Sequence, residues 1–151
     1  MFWFQVKTKS GYVRIEYLIN TIIDIKLNTS PQKRDKNYKV YNRLKNDLLK
    51  YFSGRKIDFK RYKINIDGLT DFERNVLENT RLIPYGNTKS YSQIASEAGN
   101  PRAGRAAGNA LNKNPVPIII PCHRVIKKTG KPGGFSAGEK WKKILLLLEN
   151  P

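Results

Sequence analysis

Pro115, Pro117 and Pro121 bracket an apolar run, Val116 and then Ile118 to Ile120, that is too short for a helix. Each proline fixes one backbone angle and biases the residue before it towards an extended conformation. The expectation is a stiff, buried, strand-like segment, and it delivers Cys122 and His123, the only cysteine and the only histidine of the chain. A thiol held in one place by such a segment can be a reactive group. The plain alternative is a small buried hydrophobe, since free cysteines are among the most buried residues.

Charge narrows the choice. The chain has 151 residues with 29 Lys+Arg against 12 Asp+Glu, a formal charge of +17. An excess that large attracts polyanions, nucleic acid first and an acidic membrane surface second, unless it is only a solvated surface. There is no apolar run of about 18 residues and no signal-peptide pattern, so a soluble, cytoplasmic protein is expected. One cysteine excludes an internal disulfide, and its adjacency to the one histidine excludes a structural zinc site of the usual kind. Neither metal nor cofactor is expected.

Phe2 to Lys7 and Tyr12 to Ile19 read as strands joined across Ser10-Gly11, with Val13, Ile15, Tyr17 and Ile19 sharing a face. Ile23, Ile25 and Leu27 alternate with Asp24 and Lys26 as a third strand, after a turn near Asn20-Thr21. Residues 28–37 form a polar loop. Tyr41, Leu44, Leu48 and Tyr51 or Phe52 recur at helical spacing, predicting a helix over about 38–53 closed by Gly54. Residues 55–68 read as linker and edge strand. Thr70 with Glu73, and Ser90 with Gln93, are capping boxes opening two helices. Asn100 is expected to cap a further helix with Pro101 in its first position.

On that helix, predicted over 101–113, Ala103, Ala107, Ala110 and Leu111 lie on one side. Arg102, Arg105, Asn109, Asn112 and Lys113 lie on another. Gly104 and Gly108 sit between them, each costing roughly 1 kcal/mol relative to alanine, so something should approach that flank closely. Helix, glycine-containing turn and a helix with a basic stripe is a helix-turn-helix pattern. The loop Gly133-Gly134-Phe135-Ser136-Ala137-Gly138 follows, then a last amphipathic helix marked by Trp141, Leu145 and Leu148, with Glu149 near its end.

The stretch Pro121-Cys122-His123-Arg124-Val125, preceded by Asn114-Pro115-Val116-Pro117-Ile118, resembles the active-site signature of the O6-alkylguanine-DNA alkyltransferases. The likeness extends through Ser90-Tyr91-Ser92-Gln93, Asn100-Pro101-Arg102 and Arg105-Ala106, and downstream to Glu149. It covers roughly the last 80 residues well and the first 65 only in layout. It implies an α/β (α+β) fold of two domains. Residues 1–66 would form a small antiparallel sheet with a helix, ribonuclease H-like, and residues 67–151 a helical DNA-binding and alkyl-transfer domain with the helix-turn-helix.

The same resemblance implies a monomer that repairs double-stranded DNA by irreversible, single-turnover transfer of an alkyl group from O6-alkylguanine, less well from O4-alkylthymine, to Cys122. The thiolate is the nucleophile such a transfer needs. His123 would help form it through a bridging water, with Glu149 orienting the imidazole. The target base must be flipped out of the duplex. Tyr91 would push the target phosphate aside and donate to the base, and Arg105 would enter the stack in its place. Arg102, Ala103, Gly104 and Asn109 would meet the DNA. Asn114 would bond backbone around the Cys122 segment and tie it to the second, recognition helix of the helix-turn-helix. With Val125, Phe135 and Ser136 it would line the substrate pocket, Phe135 standing where many relatives have tyrosine. The alternative is a lesion-sensing or regulatory DNA-binding protein that never transfers, although related binding-only proteins lack the cysteine.

Overall fold

The computed structural model describes residues 1–28 and 30–151, and these divide into two compact units, Met1–Asn65 and Ile66–Pro151. The architecture is mixed α+β.

In the first unit, β1 (Phe2–Thr8), β2 (Gly11–Leu18) and β3 (Thr21–Asn28) form an antiparallel meander. The edge is closed by β4 (Lys63–Ile64), which runs parallel to β3, so the sheet is not purely antiparallel. Phe4 pairs with Ile15 and Val6 with Val13, and all four are essentially inaccessible to solvent. Full burial of such side chains contributes about 1.5–3 kcal/mol each, which is why period-two alternation reports the inner face.

Two readings of this sheet need correction. Ile19 is not on the inner face: it is 79% exposed, with φ +57°, in the two-residue turn between the paired Leu18 and Thr21. The register also shifts between Glu16 and Tyr17, which pair with Asp24 and Ile22. Ile23 is therefore the extra residue of a bulge, and the core side chain is Ile22 rather than Ile23. Thr29 of the polar loop lies outside the described residues.

α1 (Asn42–Phe52) packs against β1 and buries Leu44, Leu48 and Tyr51. It begins four residues later than expected because the residues around Tyr38 bridge to β1 instead, the Asn37 carbonyl accepting from the Trp3 amide and the Lys39 amide donating to the Trp3 carbonyl. Asp47 is also buried on this helix, where the Arg61 guanidinium and the Tyr62 hydroxyl both donate to its carboxylate.

The second unit is helical. α2 (Asp71–Arg81) and α3 (Tyr91–Glu97) start at complete capping boxes, Thr70 with Glu73 and Ser90 with Gln93. α4 is shorter than predicted, Gly104–Asn112. Asn100 does not cap it. Its side chain accepts from the Arg102 amide at 3.2 Å and its carbonyl from the Ala103 amide at 3.1 Å, which closes a separate turn around Pro101. Arg102 and Ala103 thus precede α4 rather than lie on it.

α3 and α4 pack on each other and both pack on α2, the arrangement of a helix-turn-helix. The flank of Gly104 and Gly108 faces α3: a methyl there would meet the Ser92 backbone at 3.9 Å and the Tyr91 ring at 3.7 Å. Those are ordinary contact distances, so α3 is the element that approaches, and it does so without excluding alanine.

Candidate active site

The segment from Pro117 to Ile120 is not a strand but a tight buried turn, with Ile118 at φ +76°. A β-branched residue holds that left-handed conformation at a cost of about 1–3 kcal/mol, so the surroundings must over-determine it. They do. The Ile120 amide bonds to the Val116 carbonyl at 3.0 Å, and Asn114 donates through Nδ2 to the Ile120 carbonyl at 2.9 Å. Asn114 Oδ1 also accepts from the Val116 amide at 3.0 Å. Pro121, at φ −79° and ψ 63°, then makes an inverse γ-turn in which the Cys122 amide bonds to the Ile120 carbonyl at 2.8 Å. Cys122–Arg124 follow as a 3-10 turn, not as the extended strand anticipated from the three isoleucines.

Cys122 is buried, and its Sγ accepts from Asn114 Nδ2 at 3.2 Å. Burial pushes the thiol pKa up to about 11, although the Asn114 hydrogen bond and the nearby Lys142 charge both pull the other way. At neutral pH the resting group is the thiol.

His123 is fully buried, with Nε2 2.7 Å from Glu149 Oε1. Burial lowers the imidazole pKa, with the Glu149 carboxylate opposing, so the ring rests neutral and can accept a proton. Glu149 ends α5 (Glu139–Glu149) and is itself buried. Arg124 grips its carboxylate, Nε to Oε2 at 2.9 Å and Nη2 to Oε1 at 2.8 Å, while Nη1 donates to the Ile83 carbonyl at 2.6 Å. The Gly86 amide adds a bond to Oε2 at 3.2 Å. Burial alone would raise the carboxyl pKa, but the hydrogen bonds from His123 and Arg124 outweigh it and hold the group well below the usual carboxylate range. Glu149 is a fixed anion.

A two-residue ladder pairs β5 (Lys89–Ser90) with β6 (Val125–Ile126), so the start of α3 is clamped to the chain just after Cys122. This sets Tyr91 beside the glycine-rich loop. A methyl at Gly133, where φ is +78°, would lie 2.5 Å from the Tyr91 hydroxyl. Lys142 of α5, 1% exposed, donates from below to the Val125 carbonyl at 2.6 Å, the Gly134 carbonyl at 3.1 Å and the Tyr91 hydroxyl at 3.2 Å. Burial lowers its pKa to about 8. Neither Lys142 nor Arg124 was singled out from the sequence. The signal for Lys142 was present: it falls on the inward stripe of α5 with Leu145 and Glu149, at i, i+3 and i+7.

A cavity of about 590 Å³ opens over Cys122, between the glycine-rich loop and α4. Tyr91, Phe135 and Ser136 line one side, and Gly104, Arg105 and Asn109 the other. The structure therefore brings Cys122, Tyr91, Arg105, Phe135 and Ser136 to a single opening, with His123, Glu149, Asn114 and Val125 behind it. Arg102 lies exposed in the turn before α4 and Ala103 at its start, away from the cavity wall.

Fold and site together define a helix-turn-helix protein built around one thiol. The family description "6-O-methylguanine DNA methyltransferase, DNA binding domain" matches residues 71–151. The chain is 40% identical over 119 residues to a methylated-DNA–protein-cysteine methyltransferase of Methanosarcina acetivorans, covering 79% of this chain and 75% of the relative. A second, from Methanosarcina barkeri, is 45% identical over 113 residues, covering 75% and 70%. Among solved structures, the Mycobacterium tuberculosis protein crystallised in complex with DNA superposes with a TM-score of 0.85 at 31% identity, over 99% of this chain and 92% of that one. The chain belongs to the 6-O-methylguanine DNA methyltransferase family.

Proposed function

We propose that this protein repairs double-stranded DNA by transferring the alkyl group of O6-alkylguanine to Cys122, once per molecule. The observation that carries the reading is the cavity in which the buried Cys122 thiol and the basic residue Arg105 of the recognition helix share one opening.

The base is too deep in a duplex to reach the thiol, so it enters the cavity flipped out of the stack. Arg105 fills the gap it leaves, and Arg102, Ala103, Gly104 and Asn109 follow the groove. Phe135 lies against the base, and the Ser136 amide bonds its O6. The Val125 carbonyl already accepts from Lys142, and its second lone pair serves the exocyclic amine.

His123 takes the thiol proton through a bridging water, and the fixed Glu149 anion stabilises the imidazolium that forms. The thiolate attacks the alkyl carbon, a C–S bond forms and the C–O bond breaks. Tyr91, braced by Lys142, donates to the departing base. In balance, the thiol proton replaces the alkyl group on the base. The thioether is inert, so the transfer is not reversed. The protein works as a monomer in the cytoplasm, where a lone thiol stays reduced.

The test is intact mass after mixing with a duplex holding one O6-methylguanine. A single methylene increment, located at Cys122 with one-to-one stoichiometry and absent in Cys122→Ser, is expected. Binding of the lesion without any increment would replace this reading with that of a lesion sensor.

A further inference from the structure

The charge of this chain is not concentrated where the chemistry is. Residues 1–65 carry 16 Lys+Arg against 5 Asp+Glu, a net of +11 out of the +17 of the whole chain. Within that unit the charge is again uneven. On the solvent side of the sheet Arg14 is paired with Glu16 at 2.9 Å and Lys26 with Asp24 at 3.6 Å, while Lys7 of that face makes no ion pair among the described residues. On α1 and the turn that follows a whole run of cations is unpaired. Arg43, Lys45, Lys50, Arg55 and Lys56 succeed one another with a single acid between them, Asp47, and that carboxylate is turned inward to Arg61 and Tyr62. Among the described residues, none of these five makes an ion pair.

Arg43, Lys50 and Arg55 share one surface, whereas Lys45 lies on the opposite flank of the helix. Arg43 and Lys50 are two turns apart on the same stripe of α1, and the Arg55 amide bonds to the Lys50 carbonyl at 3.1 Å, which folds the following turn back beside that stripe. Their neighbours on the exposed side are Asn42, Asn46 and Ser53, with Leu49 the lone apolar residue. Uncompensated like charges repel one another, and a run of them gives the face a positive potential that attracts an external polyanion. One exposed leucine is too little apolar area for insertion into a lipid surface. The spacing does suit a nucleic-acid backbone: seven residues of helix advance about 10 Å, roughly the rise of three nucleotides along one strand.

We infer that the exposed flank of α1 that carries Arg43 and Lys50, continued by Arg55 in the following turn, is a second, sequence-independent site for the phosphate backbone of DNA. It lies outside residues 71–151, on the unit that does not hold the thiol. The inference shares with the proposed function only the partner, DNA, and it requires no alkyl transfer.

The experiment uses the full chain. Binding to an undamaged duplex is followed by fluorescence anisotropy from low to high salt in three proteins: wild type, Arg43→Gln/Lys50→Gln/Arg55→Gln, and the charge-matched control Lys7→Gln/Lys9→Gln/Lys33→Gln. Every phosphate that the protein ceases to neutralise takes about 0.9 from the slope of log affinity against log salt. The α1 triple is expected to lose roughly 2–3 from that slope, single Lys50→Gln about 0.9, and the control nothing. Melting temperature and alkylation of Cys122 by free O6-benzylguanine should match wild type in all of them. A wild-type slope in the α1 triple overturns the inference, as does an equal loss in both triples, which would mean general charge rather than a site. Retained DNA slope with lost binding to phosphatidylserine vesicles would reassign the face to lipid. Failure of wild type to react with the free base would count against the proposed function and leave the slope comparison standing.

Discussion

The Lys142 ammonium donates to the Tyr91 hydroxyl at 3.2 Å from a position only 1% exposed. That bond joins the start of α3, which lines the cavity, to the inner face of α5. The charge of the lysine favours the Cys122 thiolate.

Lys142→Met should therefore move the alkylation of Cys122 by a small electrophile to higher pH. In wild type the reaction is expected to climb towards the thiol pKa of about 11. Loss of the ammonium removes one of the influences that lower that value, so the midpoint shifts upward. The lysine also has its own linkage. Its folded pKa of about 8 lies below the unfolded value, so the native state binds fewer protons between about 8 and 10.4, and this group makes stability rise with pH across that window. Cys122, raised in the fold, acts oppositely between about 8.5 and 11. A midpoint unchanged in the methionine variant would show that Lys142 has no electrostatic hold on the thiol.

Gly133→Ala and Gly134→Ala should differ sharply although the residues are adjacent. At Gly133 a methyl would sit 2.5 Å from the Tyr91 hydroxyl and on a left-handed backbone, whereas at Gly134 nothing lies within 4 Å. The first change should displace Tyr91 or the loop and slow transfer at least tenfold, about 1.4 kcal/mol in the barrier. The second should leave the rate near wild type. Equal single-turnover rates for the two variants would mean that the Tyr91–Gly133 contact is unimportant for the reaction.

Arg105→Ala should slow repair in duplex DNA far more than reaction with the free base. Arg105 is exposed on α4 and lines the cavity that opens over Cys122. Its proposed work is to hold the duplex open after the base leaves, and a free base needs no such help. Rates measured on both substrates decide this, and matching losses would place the arginine in folding or chemistry instead.

Glu149→Gln should lower the melting temperature and flatten its acid dependence. The carboxylate is buried among Arg124 and His123, and breaking a buried pair costs about 3–5 kcal/mol, a drop on the order of 10 °C. In wild type the folded pKa lies below the unfolded one, so the native state binds fewer protons in that interval. The stabilisation is full above roughly pH 4.3 and is lost as the pH falls below it. Melts from pH 7 to 3 on both proteins test the sign: an equally steep acid loss in the variant would assign it to other carboxylates.

Alkylation itself should loosen the fold. Cys122 is held against Asn114 and the buried turn, and added atoms in a close-packed site cost about 1–3 kcal/mol. Asn114 follows directly on α4, with its amide bonded to the Leu111 carbonyl at 3.1 Å, so the disturbance should reach the recognition helix early. Hydrogen exchange over residues 101–122, with melts of unreacted, methylated and benzylated protein, would detect it. Identical exchange and melts in all three would mean that the cavity absorbs the adduct.

What the amino-acid order determined alone is what closes within a few residues. Thr70 with Glu73 and Ser90 with Gln93 start their helices as read, because each box needs only partners three positions apart. The strand alternation at Val13 and Ile15 and the Cys122-His123 pair were legible for the same reason. Local reading failed where a competing bond came from farther away or from an unanticipated turn. Tyr38 left α1 for Trp3, Asn100 closed its own turn instead of capping α4, and a bulge exchanged Ile22 for Ile23. The Asn114 side chain does bond the backbone before Cys122, as the resemblance implied. The isoleucine run nonetheless looked like a strand because its apolarity was visible and the turn that those bonds impose was not. Only tertiary structure decided that Lys142 would reach Val125 and Tyr91, 17 and 51 residues away, and that Arg124 would seize Glu149 across 25. Such contacts have no sequence period. They exist because α5 must bury Trp141 and Leu145, and the rotation that buries those two carries Lys142 and Glu149 inward, where each charge is tolerable only with its hydrogen-bond partners already in place.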